Sequence, residues 1–369
     1  MKTLVTGGAG FIGSHLVRRL VELGDEVVVL DSLEPQVHEG ATPALPDGVH
    51  LLTGDVGEAK MVDAALEGVD RVVHLAAAVG VGQSMYEIDR YVRKNTMATT
   101  TFLERLVAQQ PLPSRLVVAS SMSIYGEGAY ACEEHGPVVA RPRPAAQLAQ
   151  REWEVLCDAC GRRLTPLPTS EEKPIVPTSI YAITKRDHED MCLVVGAAYG
   201  IPTVALRFFN VYGPGQALSN PYTGVAAIFA SRLLNGEPPL IFEDGRQSRD
   251  FIHVKDIVDG ILGALESDAA VGSAVNLGTG RPTSVHEIAS LLAAGLGIQT
   301  TPLIVDKYRA GDIRHCYADP SRARELLGFE AGVTLEDGMS ELVQWLAGQT
   351  SVDRVELATT ELVSRGLTR

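Results

Sequence analysis

The sequence predicts an α/β fold in which a parallel, doubly wound sheet of the Rossmann type is joined by a smaller, mixed α/β C-terminal lobe. Three observations predict this fold. The chain opens with a strand, a glycine turn and a helix; strands and helices then alternate up to Gly215; and shorter pieces follow after it. With 369 residues and 45% hydrophobic content, the chain can form one large unit or two closely packed lobes.

The opening segment carries the most informative pattern. Lys2 to Thr6 is typical of a strand, and apolar residues recur at helical spacing from Phe11 to Leu23. The glycines between them allow a tight turn, and the helix N-terminus offers free N–H groups to a pyrophosphate. A second strand, Glu26 to Leu30, ends in Asp31, whose carboxylate would accept hydrogen bonds from ribose hydroxyls and repel a 2′-phosphate. We therefore expect NAD rather than NADP.

Later segments extend the same alternation. Further strands are predicted at His50–Thr53, Arg71–Leu75, Arg115–Ala119 and Pro202–Arg207, with helices at Glu58–Leu66, at Met85–Gln109 and from Ser179. Asp55 follows a strand at the edge where open sheets bind ligands, although a role in capping the next helix fits this residue equally well.

A smaller lobe is predicted after Gly215. Helices at 224–234, 254–265, 285–296, 321–327 and 335–346 alternate there with β pieces near Leu240, Phe251, Val275 and Ile304. We divide the chain into an NAD-binding domain (1–215) with an insertion at about 127–176, a substrate lobe (216–348) interleaved with it, and a tail (349–369) to which no chemistry is assigned.

Composition excludes several function classes. The net charge of −14 and the pI near 5.1 argue against a nucleic-acid groove, which needs a basic face. No apolar run is long enough to span a bilayer, and no signal peptide precedes the first strand. We expect a cytoplasmic protein whose five cysteines are free or metal-bound.

Six motifs in order resemble the extended short-chain dehydrogenase/reductase family, and specifically its nucleotide-sugar epimerases. They are Thr6-Gly-Gly-Ala-Gly-Phe-Ile-Gly13, His74-Leu-Ala-Ala77, Ser120-Ser-Met-Ser-Ile-Tyr-Gly126, Tyr181-x-x-x-Lys185, Arg207-Phe-Phe-Asn-Val-Tyr-Gly-Pro-Gly215 and Arg249-Asp-Phe-Ile-His-Val254. The resemblance runs from Met1 to about Gly348 and is broken by one insertion. It implies the Rossmann fold, bound NAD⁺ and a homodimer formed through the helices near Met85–Gln109 and Ser179–Tyr199.

The resemblance implies three catalytic residues. Tyr181 is the base and acid, Lys185 binds the nicotinamide ribose, and Ser121 hydrogen-bonds the reacting hydroxyl. A tyrosine with a pKa near 10 is a poor base, but a lysine one turn away and the positive nicotinamide ring would both lower that pKa. Without the resemblance, the tyrosine and lysine would fit an ordinary solvated helix face.

The glycine turn and the resemblance together also imply the binding residues. The cofactor set is Gly7, Gly10, Phe11, Ile12, Gly13, Asp31, Ser32, Asp55, Val56, Leu75, Ala76, Ala77, Asn95, Tyr181, Lys185, Phe208 and Val211. The substrate set is Val79, Ser121, Ser123, Asn210, Arg249, Arg309 and Asp312. Arg249 suits phosphate oxygens, whereas Arg309 and Asp312 fit a surface ion pair equally well.

The implied reaction is C4 epimerisation through transient oxidation to a 4-keto sugar, which regenerates NAD⁺. Related dehydratases carry Asp-Glu where this chain has Met122 and Ser123, so dehydration is disfavoured. Three alternatives stay open: a UDP-hexose or UDP-hexuronate 4-epimerase, an NAD(P)H-dependent 4-keto-sugar reductase, and a catalytically silent NAD-binding scaffold or sensor.

The insertion between Tyr125 and Tyr181 is proline-rich and contains two paired motifs. Cys132-x-x-His135 and Cys157-x-x-Cys160 supply four ligands for tetrahedral zinc, and the filled coordination predicts a structural metal. The alternative is three unrelated thiols and a surface histidine. The insertion resembles the cysteine-containing branch that includes dTDP-L-rhamnose 4-epimerases, which implies conversion of dTDP-L-rhamnose to dTDP-6-deoxy-L-talose. Cys192 and Cys316 are predicted core residues.

Overall fold

A seven-stranded parallel sheet forms the centre of the computed structural model, which describes residues 1–38, 40 and 44–368. From one edge to the other its strands are Ala274–Leu277, Thr203–Phe208, Arg115–Ser121, Arg71–His74, Lys2–Thr6, Glu26–Asp31 and His50–Thr53. The strand order reverses between Lys2–Thr6 and Arg71–His74. Open sheets bind ligands at such a switch point, and the glycine turn lies beside it. The predicted fold class is confirmed.

Helices cover both faces of the sheet, as a parallel sheet requires. On one face, Phe11–Glu22 and Val254–Glu266 bury side chains such as Leu16 and Ile257. On the other face, the helices Ala59–Leu66, Ala98–Val107 and Ile180–Tyr199 bury theirs, including Cys192.

A second, smaller unit follows strand Thr203–Phe208 of the large sheet. Its strands are Asn210–Tyr212, Leu240–Ile241, Ser248–His253, Pro282–Ser284, Leu303–Ile304 and His315–Cys316. Its helices are Val225–Leu234, Val285–Gly295 and Leu335–Leu346. Three predictions were wrong here. The β piece near Val275 belongs to the large sheet, because Ala274–Leu277 pairs in parallel with Thr203–Phe208. The helices predicted at 254–265 and 321–327 also pack on the large sheet, as Val254–Glu266 and Ser321–Leu327.

The helical region predicted at Met85–Gln109 is confirmed, since residues 88–107 are helical without a break, but a π-helical turn lies within it. Short helices at Val81–Ser84 and Ile88–Tyr91 are followed by a π-helical turn, Val92–Met97, and only then by Ala98–Val107. The extra residue of a π turn changes the direction of nearby side chains. It allows Asn95 to point into the protein, where the residue is fully buried.

The insertion has its own sheet and core. Its antiparallel strands are Ala129–Cys132, Gly136–Val138 and Thr165–Leu167, accompanied by the short helix Ala145–Ala149. Remaining short helices lie at Pro35–His38 and Met122–Tyr125, and the tail forms the helix Val355–Ser364. All five cysteines are free, and Cys192 and Cys316 are buried as predicted.

Across the described part of the chain, every helix is too short or too polar to cross a bilayer. The cytoplasmic location stays a prediction.

One buried ion pair connects helix Ile180–Tyr199 to the sheet. Arg207 Nη2 lies 2.5 Å from Glu189 Oε1, and Arg207 Nε donates to Glu189 Oε2 at 3.0 Å. Ser120 Oγ donates to the same Oε2 at 2.6 Å, and Arg207 Nη1 donates to the Tyr125 hydroxyl at 2.7 Å. Almost every donor in the cluster has a hydrogen-bond acceptor. Removal of either charged side chain would leave the other one buried and unpaired.

We expect Arg207→Ala to lower the free energy of unfolding by about 3–5 kcal/mol, because it strands the Glu189 carboxylate in the interior. Arg186 pairs with Asp190 on the exposed face of the same helix and serves as the control. Arg186→Ala should cost less than about 1 kcal/mol in urea denaturation. Equal losses in the two variants would contradict a special role for the buried pair.

Candidate active site

The glycine turn packs against the start of helix Phe11–Glu22 too closely for side chains. Gly7 has φ +69°, and a Cβ at Gly13 would lie 2.2 Å from the Gly7 carbonyl oxygen, so a side chain there would push the turn apart. Asp31 is buried beside the turn and accepts hydrogen bonds from the backbone N–H groups of Ala9 and Leu33, at 3.0 and 2.9 Å. A carboxylate has about four acceptor positions, so two remain for ribose hydroxyls.

A cavity of about 340 Å³ opens from this turn along the carboxyl ends of the strands. All but one of the predicted cofactor residues line it. They are Gly7, Gly10, Phe11, Ile12, Gly13, Asp31, Ser32, Asp55, Val56, Leu75, Ala76, Ala77, Tyr181, Lys185, Phe208 and Val211. The shape of the turn and the acceptors on Asp31 fit NAD.

The exception is Asn95, which lies behind the cavity wall. Its amide oxygen accepts from Ala78 N–H at 2.7 Å, and its amide nitrogen donates to the Ala78 carbonyl and the Thr184 hydroxyl, at 3.1 and 2.9 Å. The side chain therefore holds the loop after the fourth strand against the helix that carries Tyr181. Asp55 does line the cavity, and it also caps its turn through Gly57 N–H and pairs with Lys94.

A second cavity, of about 440 Å³, lies between the sheet edge and the smaller unit. All the predicted substrate residues line it: Val79, Ser121, Ser123, Asn210, Arg249, Arg309 and Asp312. The amide oxygen of Asn210 is buried and has no hydrogen-bond partner within the described protein. A polar ligand would satisfy it.

The two arginines of this cavity are engaged with one loop, residues 309–314. Arg249 donates to the carbonyl oxygens of Ile313 and Arg314, at 2.7 and 3.0 Å. Arg309 pairs with Asp312 at 2.9 Å, which is the ion pair considered as the alternative, and its guanidinium lies 4.7 Å from the Phe242 ring centroid. Both residues of the pair still line the cavity.

Ser121 and Tyr181 line both cavities and mark the place where they meet. Ser121 ends the strand Arg115–Ser121, and its hydroxyl accepts from the hydroxyl of Ser123 at 3.0 Å. Tyr181 lies in the first turn of its helix, which Ser179 caps by accepting from Ala182 N–H at 3.1 Å. The serine hydroxyl and the phenol thus meet at the boundary between the two cavities.

Burial controls the proton affinities of Tyr181 and Lys185. It raises the pKa of Tyr181 to about 12, while a hydrogen bond with Ser121 acts in the opposite direction. It lowers the pKa of Lys185 to about 8, and the Lys185 ammonium donates to the Ala119 carbonyl at 2.9 Å. A further positive charge near Tyr181 would favour the phenolate. The arrangement can therefore exchange a proton with a hydroxyl held at the boundary.

The insertion brings Cys132, His135, Cys157 and Cys160 together. Their ligand atoms all lie within 4.8 Å of one another. Cys132 Sγ is 3.6 Å from Cys160 Sγ and 3.4 Å from His135 Nδ1, and Cys157 Sγ is 3.6 Å from the same nitrogen. A disulfide would need a sulfur separation of about 2.05 Å, so the four residues are an unbonded cluster.

Comparison with known proteins identifies the family. Residues 3–278 match the NAD dependent epimerase/dehydratase family. The chain belongs to this family. The match confirms the predicted resemblance and the predicted enzyme class, an epimerase of the extended short-chain dehydrogenase/reductase type.

Individual proteins resemble the chain over nearly its whole length. A dTDP-L-rhamnose 4-epimerase from Burkholderia thailandensis is 36% identical over 351 residues, 94% of this chain and 95% of that protein. A UDP-glucose 4-epimerase from Thermotoga maritima, solved with UDP-glucose, is 30% identical with a TM-score of 0.76 over 94% of this chain and 99% of that one. A UDP-glucuronic acid 4-epimerase from Bacillus cereus, solved with UDP-glucuronic acid and NAD, has the same TM-score and coverage at 28% identity.

Sequence reasoning missed several residues that line the cavities. Gln36, His38, Arg90 and Lys94 face the cofactor cavity near Asp31, and no motif marks them. Met85 lines the substrate cavity, together with residues of the C-terminal tail.

Lys185 predicts a pH-dependent stability for the NAD-free protein. The unfolded chain keeps the ordinary lysine pKa near 10.5, so it binds more protons than the folded state between pH 8 and pH 10.5. The free energy of unfolding should therefore rise with pH over that range. We expect Lys185→Met to remove this rise, on the order of 3 kcal/mol, in urea denaturation at pH 7 and pH 10.

The exposed Lys60 provides the control for this titration. Lys60→Met should keep the wild-type pH dependence. If Lys185→Met also kept it, the ammonium of Lys185 would not be desolvated in the folded protein.

Proposed function

We propose that the protein is an NAD-dependent epimerase that inverts C4 of a nucleotide sugar, and that its substrate is dTDP-L-rhamnose, converted to dTDP-6-deoxy-L-talose. The observation that supports the reaction most directly is the position of Ser121 and Tyr181 where the two cavities meet. A sugar hydroxyl bound there would lie beside a proton acceptor and next to the cofactor cavity.

Residues of the chain supply binding and proton transfer. Bound NAD⁺ would accept a hydride from the sugar and return it. Tyr181 takes the proton of the 4-hydroxyl and later gives it back, and the Ser121 hydroxyl orients the reacting oxygen. Lys185 favours the phenolate through its positive charge. Asn210 and Arg249 bind the diphosphate, which holds the substrate while the 4-keto sugar turns over.

The lining of the substrate cavity supports a neutral sugar. Val79, Val81, Met85 and Met122 make the part near Ser121 apolar. Among the described lining residues the cations are Arg249, the proposed partner of the diphosphate, and Arg309, which pairs with Asp312. A buried uronate carboxylate would need a positive partner, whereas the methyl group of a 6-deoxy sugar needs none. The relative from Burkholderia thailandensis supports the dTDP sugar.

The alternative functions predict different results when the purified protein is given other sugar nucleotides or NADH. A UDP-hexose or UDP-hexuronate 4-epimerase would act on UDP-glucose or UDP-glucuronate instead. A 4-keto-sugar reductase would consume added NADH in proportion to product. A silent NAD-binding scaffold would act on no sugar.

We expect the purified protein, given dTDP-L-rhamnose and no added cofactor, to produce a second anomeric signal in proton NMR that grows to a stable equilibrium. Tyr181→Phe should slow this conversion by about 10²–10⁴-fold, the usual contribution of a general acid–base group. Tyr199→Phe, at the exposed end of the same helix, should convert at the wild-type rate. No conversion by the wild type would refute dTDP-L-rhamnose as the substrate, and an active Tyr181→Phe variant would refute the mechanism.

We also propose a structural zinc ion in the insertion. Tetrahedral zinc places its sulfur ligands about 3.8 Å apart and a sulfur and a nitrogen about 3.5 Å apart, given Zn–S near 2.3 Å and Zn–N near 2.0 Å. The separations of 3.6 Å between sulfurs and 3.4 and 3.6 Å between sulfur and nitrogen fit this geometry. Four protein ligands would fill the coordination sphere, so the ion would stabilise the insertion and take no part in the reaction.

Elemental analysis of the purified protein should find about one zinc ion per chain, the stoichiometry of a filled structural site. Cys157→Ser should lose the ion and lower the melting temperature, because binding energy of the metal is folding energy of the insertion. The buried Cys192 lies outside the cluster, and Cys192→Ala should keep the ion. A metal-free protein with unchanged melting temperature would refute the zinc site.

A homodimer is the third part of the proposal. The two helical segments that the resemblance assigns to the interface carry exposed apolar side chains. Met97 is 55% exposed and Val194 is 67% exposed, and Val92 and Ile183 are exposed beside them. A second copy of the chain would remove this apolar surface from water.

A further inference from the structure

We infer that the C-terminal helix Val355–Ser364 is part of the substrate site and forms the wall that contacts the sugar. The inference extends the proposed function, since it needs a nucleotide sugar in the second cavity. Four residues of the helix, Val355, Ala358, Thr359 and Leu362, line that cavity. They recur at a spacing of three or four residues, so one face of the helix is turned to the cavity.

The tail is fixed to the protein at its start. Asp353 pairs with the buried guanidinium of Arg232 at 3.0 Å. Val352 N–H donates to the Ser219 hydroxyl at 3.1 Å. An ion pair whose arginine is buried is less screened by water than a surface pair, so it holds the first residues of the tail in place.

The end of the tail is fixed to the loop that carries Arg309 and Asp312. Leu367 accepts a hydrogen bond from Ala310 N–H at 2.8 Å, and Thr368 forms a β-bridge with Arg309. Leu367 itself lines the substrate cavity. The tail is therefore joined to the side of the cavity that holds the two cations.

Between these ends, the helix packs on the side of the cavity nearest Tyr181. A Cβ at Gly82 would lie 3.7 Å from the Cδ atoms of Leu362, which places that leucine directly over the Val81–Ser84 segment. Arg365 stacks on the ring of Tyr86 at 4.5 Å, and the Tyr86 hydroxyl lies 2.5 Å from that of Tyr222. Tyr222 and Gly82 both line the cavity. Leu362 thus lies opposite the segment that follows Val79.

The chemistry of this wall selects for an apolar edge of the sugar. Val355, Ala358 and Leu362 carry no polar side-chain atom, and Thr359 contributes a methyl group and a hydroxyl. A hydroxylated or charged substituent turned towards them would lose its hydration without a compensating partner. A methyl substituent would gain contact area. The helix therefore acts as a specificity element, while Tyr181 and Ser121 carry out the reaction.

The test compares Leu362→Ala with Leu357→Ala, a matched change on the same helix at a side chain that is 71% exposed. Dissociation constants are measured by calorimetry for dTDP-L-rhamnose, UDP-glucose and dTDP alone. We expect Leu362→Ala to weaken binding of the nucleotide sugar that the wild type binds about tenfold. Binding of dTDP should weaken less than twofold, because the leucine contacts the sugar half of the substrate. Leu357→Ala should match the wild type with all three ligands.

A second variant distinguishes an effect of sugar contact from a general destabilisation of the tail. Ala358→Leu keeps a strong helix former and adds volume on the cavity side, so it should weaken sugar-nucleotide binding while leaving the melting temperature unchanged. Wild-type affinity of both Leu362→Ala and Ala358→Leu for every sugar nucleotide that binds would overturn the inference. Binding without epimerisation would refute only the proposed function. If neither sugar nucleotide bound the wild type, both would fail.

Discussion

The active-site geometry depends on the buried ion pair between Arg207 and Glu189. Arg207 belongs to strand Thr203–Phe208 of the large sheet, and Glu189 lies two turns after Tyr181 on helix Ile180–Tyr199. Ser120, at the end of the neighbouring strand, donates to the same carboxylate, and Tyr125 accepts from the guanidinium. The pair therefore sets the helix against the strand that ends in Ser121. The pair thereby fixes the position of the Tyr181 phenol relative to the Ser121 hydroxyl.

Burial of the site also disfavours the charged forms of Tyr181 and Lys185. An enclosed phenol resists ionisation, which is why the pKa of Tyr181 lies near 12. An enclosed amine resists protonation, and the pKa of Lys185 falls to about 8. His74, buried nearby, has a pKa near 3 and stays neutral, so it adds no competing positive charge. Under the proposed function, the positive nicotinamide ring of NAD⁺ bound in the cofactor cavity would supply the remaining positive charge, so proton transfer would depend on bound NAD⁺.

The sheet and the glycine turn could be predicted because their signals are local. Lys2–Thr6 and His50–Thr53 were placed residue for residue, since a short run of strand-forming residues that stops at a glycine is typical of a buried strand. The short helix Val81–Ser84 could not be predicted: the Ser84 hydroxyl donates to Val81 and accepts from Tyr181 N–H, 97 residues later. The contacts that Asn95 makes could not be predicted for the same reason, because its partners Ala78 and Thr184 come together only in the folded chain.

The insertion and the tail share a role that neither segment reveals alone, since both hold the 309–314 loop. From the insertion, Arg143 donates to the Asp312 carbonyl at 3.1 Å, and Glu154 pairs with the fully buried Arg314 at 2.6 Å. From the other side, Leu367 accepts from Ala310 N–H. The loop lines the substrate cavity, whereas the phenol and serine belong to the sheet edge. Under the proposed function, substrate choice and chemistry are therefore borne by separate parts of the chain, so a change in the insertion or the tail can alter which sugar nucleotide binds without moving the groups that transfer its proton.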